Sequence, residues 1–249
     1  MKGPLVFTDL DDTLFQTARK CPGGTSDGLR PMSRLADGTI SGFATSVQQE
    51  LLGWLRRGSI IPVTARSSAV LARVDIEQTP AICSNGGRIN SADGAVDREW
   101  HGRLLEKARA SVPVFEVHDA VTNGLDAVRF RHWMVAEDDL ELYFVVKSNV
   151  DDGGILQEVA ARFAMPCTHG WRMHRNGNNL AFMPPWLGKR NAVAHLLETM
   201  RREGWDGVTV GVGDSASDAG FMDLCDFAMT PTGSQLWRSM VAGSEWLLP

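Results

Sequence analysis

Four short apolar runs, Leu5–Thr8, 59–64, Ala81–Cys83 and 208–212, constrain the fold of this chain more than any other feature. The stretch Ile60-Ile61-Pro62-Val63 is nearly continuous in apolar character, as a strand buried on both faces must be. Between the first two runs, Val47, Leu51 and Leu55 share one helical face over 46–57, with Ser46 and Gln49 spaced as a capping box and Gly58 placed to end the helix. Ser67 or Ser68 can open a second helix carrying Val70, Leu71 and Val74. Strand, helix, strand, helix, strand predicts a parallel α/β sheet.

That rhythm breaks twice. Directly after the first run, residues 15–42 hold several glycines, two prolines and an Asp37-Gly38 turn between Arg34-Leu35 and Thr39-Ile40, the texture of a hairpin or long flap. After Asn85-Gly86-Gly87, two alternating strands (128–134 and 140–144), a helix over 155–163 and a hairpin around Asn176-Gly177 predict an α+β segment of antiparallel character. The α/β pattern then resumes: Val193, Leu196, Leu197 and Met200 form a helical stripe ending near Gly204, and the 208–212 strand leads into Gly213-Asp214. Phe221, Met222 and Leu224 mark a short helix, 227–229 a small strand, and Leu236, Trp237, Met240 and Val241 a last helix. The expected organisation is a core of 1–84 and 186–249 with an inserted domain at 85–185.

Composition narrows the partners. With 249 residues, 43% apolar and 22% charged, the chain can bury a substantial core, and a net charge of −5 without a basic block argues against nucleic acid. The four cysteines, Cys21, Cys83, Cys167 and Cys225, form no CxxC pair, which argues against a zinc ribbon or dithiol site and for scattered reduced thiols. The start MKGPLVFTDLDD has only a three-residue apolar run before its acids, too short for a signal h-region or a membrane span. A cytoplasmic location and no membrane partner are expected.

The chemistry sits at the strand ends. Asp9, Asp11 and Asp12 crowd the exit of the first strand, where ionised carboxylates repel one another and call for a cation or solvent. A solvated turn with a helix cap explains those three acids equally well. The wider placement is more informative: Asp9, Thr64 and Asp214 each end an apolar strand, and carboxyl ends of parallel strands converge on the ligand crevice. Lys189 opens a helix, where a cation opposes the helix dipole unless an anion lies beside it.

Taken in order, DLDDT (9–13), IIPVT (60–64), Gly188-Lys189 and GDSASD (213–218) resemble the four motifs of the haloacid dehalogenase superfamily of phosphatases, and the 85–185 insertion is similar to its type 2 cap. The resemblance implies a Rossmann-like α/β core with an α+β cap, and a Mg²⁺-dependent phosphatase working through an aspartyl-phosphate. It implies Asp9 as nucleophile and Asp11 as acid/base, with Mg²⁺ held by Asp9, the Asp11 backbone carbonyl, Asp214 and Asp218. Thr64, Lys189 and Ser217 would bind the phosphoryl group. Asp12 is then a loop carboxylate, and Thr13 either caps the following turn or bonds Asp11.

GDS followed by an aspartate resembles the sucrose-phosphate and mannosyl-3-phosphoglycerate phosphatase branch, with Ser217 in place of an asparagine and Thr64-Ala65-Arg66 in place of TGR. That points to a sugar phosphate or glycosyl-phosphoglycerate as the phosphorylated small-molecule substrate. Asn85, Arg66 and His174 are the foremost candidates for contacting it, with Arg131, His132 and Arg175 behind them. Two alternatives stay open: a protein that binds a phosphorylated ligand without turnover, and a phosphotransferase or mutase. Oligomeric state is not legible.

Overall fold

The computed structural model describes residues 3–150, 153–163 and 168–242. Cys167 lies outside the described residues, and the other three cysteines are free thiols. The chain divides into two compact units, Met1–Asp97 with Lys189–Pro249 and Arg98–Gly188.

The elements run β1 (Leu5–Thr8), β2 (Arg30–Arg34), β3 (Ile40–Ala44), α1 (Ser46–Leu55), β4 (Ser59–Pro62), α2 (Ser68–Leu71), β5 (Ala81–Cys83) and β6 (Arg88–Asn90). The second unit follows with α3 (Arg98–Arg109), α4 (Val114–Thr122), β7 (Phe130–Glu137), β8 (Leu140–Ser148), α5 (Leu156–Arg162), β9 (Arg172–Asn176) and β10 (Asn179–Met183). The chain closes with α6 (Lys189–Arg202), β11 (Thr209–Val212), α7 (Ala216–Met222), β12 (Phe227–Met229) and α8 (Gln235–Val241).

The first unit is built on a parallel sheet in the order β12-β11-β1-β4. From β1 the chain first moves to β4 on one side and only much later to β11 on the other, so the strand order reverses at β1. Such a switch point opens a crevice at the carboxyl ends of the two neighbouring strands, here β1 and β11. Every β1 side chain is buried, and Val6, Leu10, Leu14, Ile60, Leu71 and Val212 pack into one core.

Four sequence expectations differ from what this unit shows. Ala81–Cys83 is not a full member of the parallel sheet. It pairs antiparallel with β6 and touches the sheet through a single Val63–Ile82 bridge and the Thr64 N–H to Ile82 O bond of 2.9 Å. That pairing, and the bond between His195 and Asp97 (2.9 Å), tie 85–97 to the first unit, although sequence texture assigns it to the insertion. The cap of α1 is Thr45 rather than Ser46: its hydroxyl accepts from Gln48 N (3.3 Å), and Gln48 Oε1 accepts from Thr45 N (3.0 Å). Leu224 falls beyond the end of α7.

The 15–42 segment does form its hairpin, β2 with β3, around Asp37-Gly38, where Gly38 has φ +85° and Thr39 N bonds Asp37 Oδ1 at 2.9 Å. Phe15, Cys21 and Met32 are buried, so the segment is packed into the core rather than loose.

In the second unit, the antiparallel sheet β7-β8-β10-β9 buries Phe130, Phe144, Val146, Leu180 and Phe182 against α4 and α5. The rings of Phe144 and Phe182 stack at 4.6 Å. Sequence reading missed α3 and α4. Only Trp100 and Leu104 of α3 are buried, too few for a stripe, and α4 uses Val114, Val117 and Val121, residues equally at home in strands.

Candidate active site

The site begins where β1 and β11 end side by side. Asp9 follows β1 directly, and its N–H donates to Val212 O at 2.8 Å, pinning the acid to the end of β11. Lys189 Nζ donates to Asp9 Oδ1 and to Asp218 Oδ1, both at 2.6 Å, with the three side chains 5%, 8% and 0% exposed. Thr13 Oγ1 donates to Asp9 Oδ2 at 3.2 Å, an acid that neither of its two expected roles involved. Carboxylate oxygens of Asp9, Asp214 and Asp218 lie within 4.8 Å of one another.

The loop after β11 is shaped for this. Asp218 Oδ2 accepts from Ser215 N (2.9 Å), Ser215 Oγ (2.7 Å) and Asp214 N (3.3 Å), a capping box at the start of α7. One carboxylate oxygen thus caps the helix while the other meets Lys189. A Cβ on Gly213 would stand 2.4 Å from Asp218 Cβ, so only glycine lets the acid come this close.

Electrostatics mark the cluster as short of positive charge. Burial above all, with the Asp218 charge, pushes the Asp9 carboxyl well above the usual range against the pull of Lys189. Burial, followed by the charges of Asp218 and Asp12, pushes Asp214 up to about 7. Asp218 is also penalised by burial, but Lys189 and Ser215 outweigh it and hold the carboxyl low. Burial likewise opposes the Lys189 charge, and Asp9 and Asp218 overcome it, raising the ammonium above its ordinary value. Three carboxylates sharing one lysine carry a formal excess of two negative charges, the charge of one divalent cation. The donors are all oxygen, which suits a hard ion such as Mg²⁺.

The other loop acids have their own cations. Asp11 accepts a two-pronged grip from Arg66, Nε to Oδ2 and Nη2 to Oδ1, each 2.7 Å, and the guanidinium lies over the Phe15 ring, 5.2 Å from its centre. Burial weakens that guanidinium's hold on its proton, but the Asp11 bonds and charge win and raise it. Asp12 has φ +62° and pairs with Lys20 Nζ at 2.5 Å.

Thr64 is fully buried, and its Oγ1 accepts the Arg66 N–H at 3.1 Å. Asn85 N donates to Thr64 O at 2.9 Å, so both stand in the same corner of the first unit. Ser217 Oγ bonds Ser215 Oγ at 2.8 Å rather than any of the three acids. His174 lies on β9 opposite Ala181, Arg175 opposite Leu180, and Arg131 and His132 on β7, all in the second unit. His132 Nδ1 is 2.8 Å from His118 Nε2.

Sequence reading missed Lys20, whereas Ser215 is legible as an N-cap with Asp218 in the first turn, as the structure has it. Nothing local marks Lys20, which reaches Asp12 only because buried Phe15 and Cys21 fix the intervening turn.

No family model and no curated protein matches the chain. Solved structures do. The sucrose-phosphatase of Synechocystis sp. PCC6803, in complex with sucrose and phosphate, is similar with a TM-score of 0.59 over 98% of both chains at 13% identity. The C-terminal domain of C. albicans trehalose-6-phosphate phosphatase gives 0.52 at 12% identity, covering 89% of this chain and 73% of that one. Thermoplasma acidophilum 0175 gives 0.50 at 15% identity over 94% and 87%. With its parallel core sheet, its antiparallel insertion and these likenesses, the chain has the haloacid dehalogenase-like fold.

Proposed function

We propose that this protein is a Mg²⁺-dependent phosphatase that hydrolyses the phosphate monoester of a small polar metabolite, a sugar phosphate or glycosyl-phosphoglycerate, with 98–188 as its specificity cap. The observation that carries the reading is the buried Asp9–Lys189–Asp218 constellation beside Asp214. A purely structural core has no need to crowd three carboxylates, two of them buried, around one lysine at the carboxyl ends of a parallel sheet. The named activities of the sucrose and trehalose-6-phosphate enzymes of similar fold support the substrate class.

Asp9, Asp214 and Asp218 would hold Mg²⁺ with the Asp11 carbonyl, and the ion would supply countercharge to an anionic carboxylate and phosphoryl group. Asp9 attacks phosphorus in line, the ester P–O bond breaks, and the leaving alkoxide takes a proton from Asp11. Asp11, now a carboxylate, takes a proton from a water that attacks the aspartyl-phosphate and frees Asp9. Lys189 and Thr13 fix the Asp9 rotamer throughout. The Arg66 grip suits the carboxylate form used in the second step. The first step needs a proton on Asp11, so the fork must give up at least one bond when the leaving group arrives.

That same grip favours the second reading, a binder without turnover. Phosphate release from p-nitrophenyl phosphate with Mg²⁺ separates the two, and Asp9→Asn should abolish it while leaving the thermal midpoint near wild type. Turnover that survives in Asp9→Asn, or persists after complete chelation, would sink the mechanism.

A further inference from the structure

Two polar groups in the corner that follows β4, where Val63 N bonds Thr8 O at 2.8 Å at the end of β1, have hydrogens to give and no acceptor among the described residues. The Thr64 hydroxyl accepts from Arg66 N–H, which turns its own hydrogen away from that amide, and it donates to nothing described. Asn85 is 8% exposed, and its side-chain amide makes no hydrogen bond among the described residues. The amide atoms are not sealed from solvent, so a ligand can reach them.

The backbone around Asn85 is also unusual. Ser84 has φ +50° and Asn85 φ +57°, two consecutive non-glycine residues in the left-handed region, both buried. Ser84 N donates to Arg66 O at 2.8 Å and Asn85 N to Thr64 O at 2.9 Å, so the strained turn is clasped to 64–66. It also packs against α6, the helix that Lys189 opens. Strain of this kind persists where the surroundings impose it, and it clusters at ligand sites. Glycine would meet the backbone demand without strain. What asparagine adds at this position is the amide.

We propose that the Asn85 amide is a substrate-binding group of this site, donating from Nδ2 to a phosphoryl oxygen beside the Thr64 hydroxyl. An oxyanion accepts from both donors at once and supplies what neither finds among the described residues. This rests on the phosphatase reading for the identity of the ligand, but the two fail differently.

Asn85→Gly separates function from backbone. If asparagine serves only the turn, glycine replaces it without loss. The experiment measures thermal midpoint, kcat and KM for p-nitrophenyl phosphate with Mg²⁺, and inorganic phosphate binding by calorimetry. Asn85→Gly is expected to melt at or above wild type, while phosphate affinity falls about tenfold or more, the scale of a hydrogen bond to a charged group. Asn85→Asp, of the same shape but anionic, should weaken phosphate further and serves if the glycine variant does not fold. Wild-type phosphate affinity in either variant overturns the inference. A wild type that binds phosphate but turns nothing over overturns the phosphatase reading and leaves the Asn85 comparison intact. A wild type that does not bind phosphate overturns both.

Discussion

Arg66 grips both carboxylate oxygens of Asp11 at 2.7 Å across 55 residues of sequence. The grip holds the acid/base candidate in one orientation. Arg66→Lys keeps the charge but loses the planar fork. It should lower kcat for an aryl phosphate about tenfold or more with little change in KM, as misplacing a catalytic group does. An unchanged kcat in steady-state kinetics would show that the fork does not orient Asp11.

Among the described residues, Lys189 is the one ammonium between two buried carboxylates. Lys189→Met strands both, and breaking a buried pair from one side costs about 3–5 kcal/mol. The thermal midpoint should fall steeply without metal and recover in part as Mg²⁺ is added, since a ligand that binds only the folded state stabilises it. A midpoint indifferent to Mg²⁺ in this variant would count against the acid cluster as a metal site.

Gly213 sets how near Asp218 comes to the β11 exit. Gly213→Ala puts a methyl 2.4 Å from Asp218 Cβ and 3.0 Å from Met222 Sδ, so the acid or the helix must shift. Loss of Mg²⁺ affinity of about 10- to 100-fold is expected, the usual scale for disturbing a ligand's support. Calorimetric titration of Mg²⁺ checks it, and wild-type affinity would refute it.

Asp226 Oδ2 accepts from Thr209 N and Thr209 Oγ1, both at 2.8 Å, joining the start of β11 to the turn before β12. These bonds hold the carboxyl below its ordinary value of 3.8. In the unfolded chain the group binds protons at higher pH. Its contribution is therefore complete above 3.8 and is lost as pH falls through the lower folded value. Asp226→Asn keeps an acceptor that does not titrate. Denaturation midpoints between about pH 5 and about pH 2 should fall less steeply in this variant than in wild type. Identical slopes would show that Asp226 has no part in the acid limb.

Local pattern made much of the core legible. The apolar runs placed β1, β4 and β11, and the residues that end them named Asp9, Thr64 and Asp214. The Asp37-Gly38 turn and the hydrophobic stripe of α6 were equally plain, because turn chemistry and helical periodicity act over a few residues. Helices α3 and α4 were not legible, one being mostly charged and the other rich in valine.

The sequence by itself determined which side chains stand at the strand ends. Only the tertiary structure decided how their charges are shared: Lys189 between Asp9 and Asp218, Arg66 on Asp11, Lys20 on Asp12. It also decided that Asn85 is clasped to Thr64 through its backbone N–H, with a side-chain amide that bonds no described residue. Strand ends follow from local burial patterns. Which cation reaches which acid depends on strand order and packed loops that close long stretches of chain, and no short window of sequence contains that information.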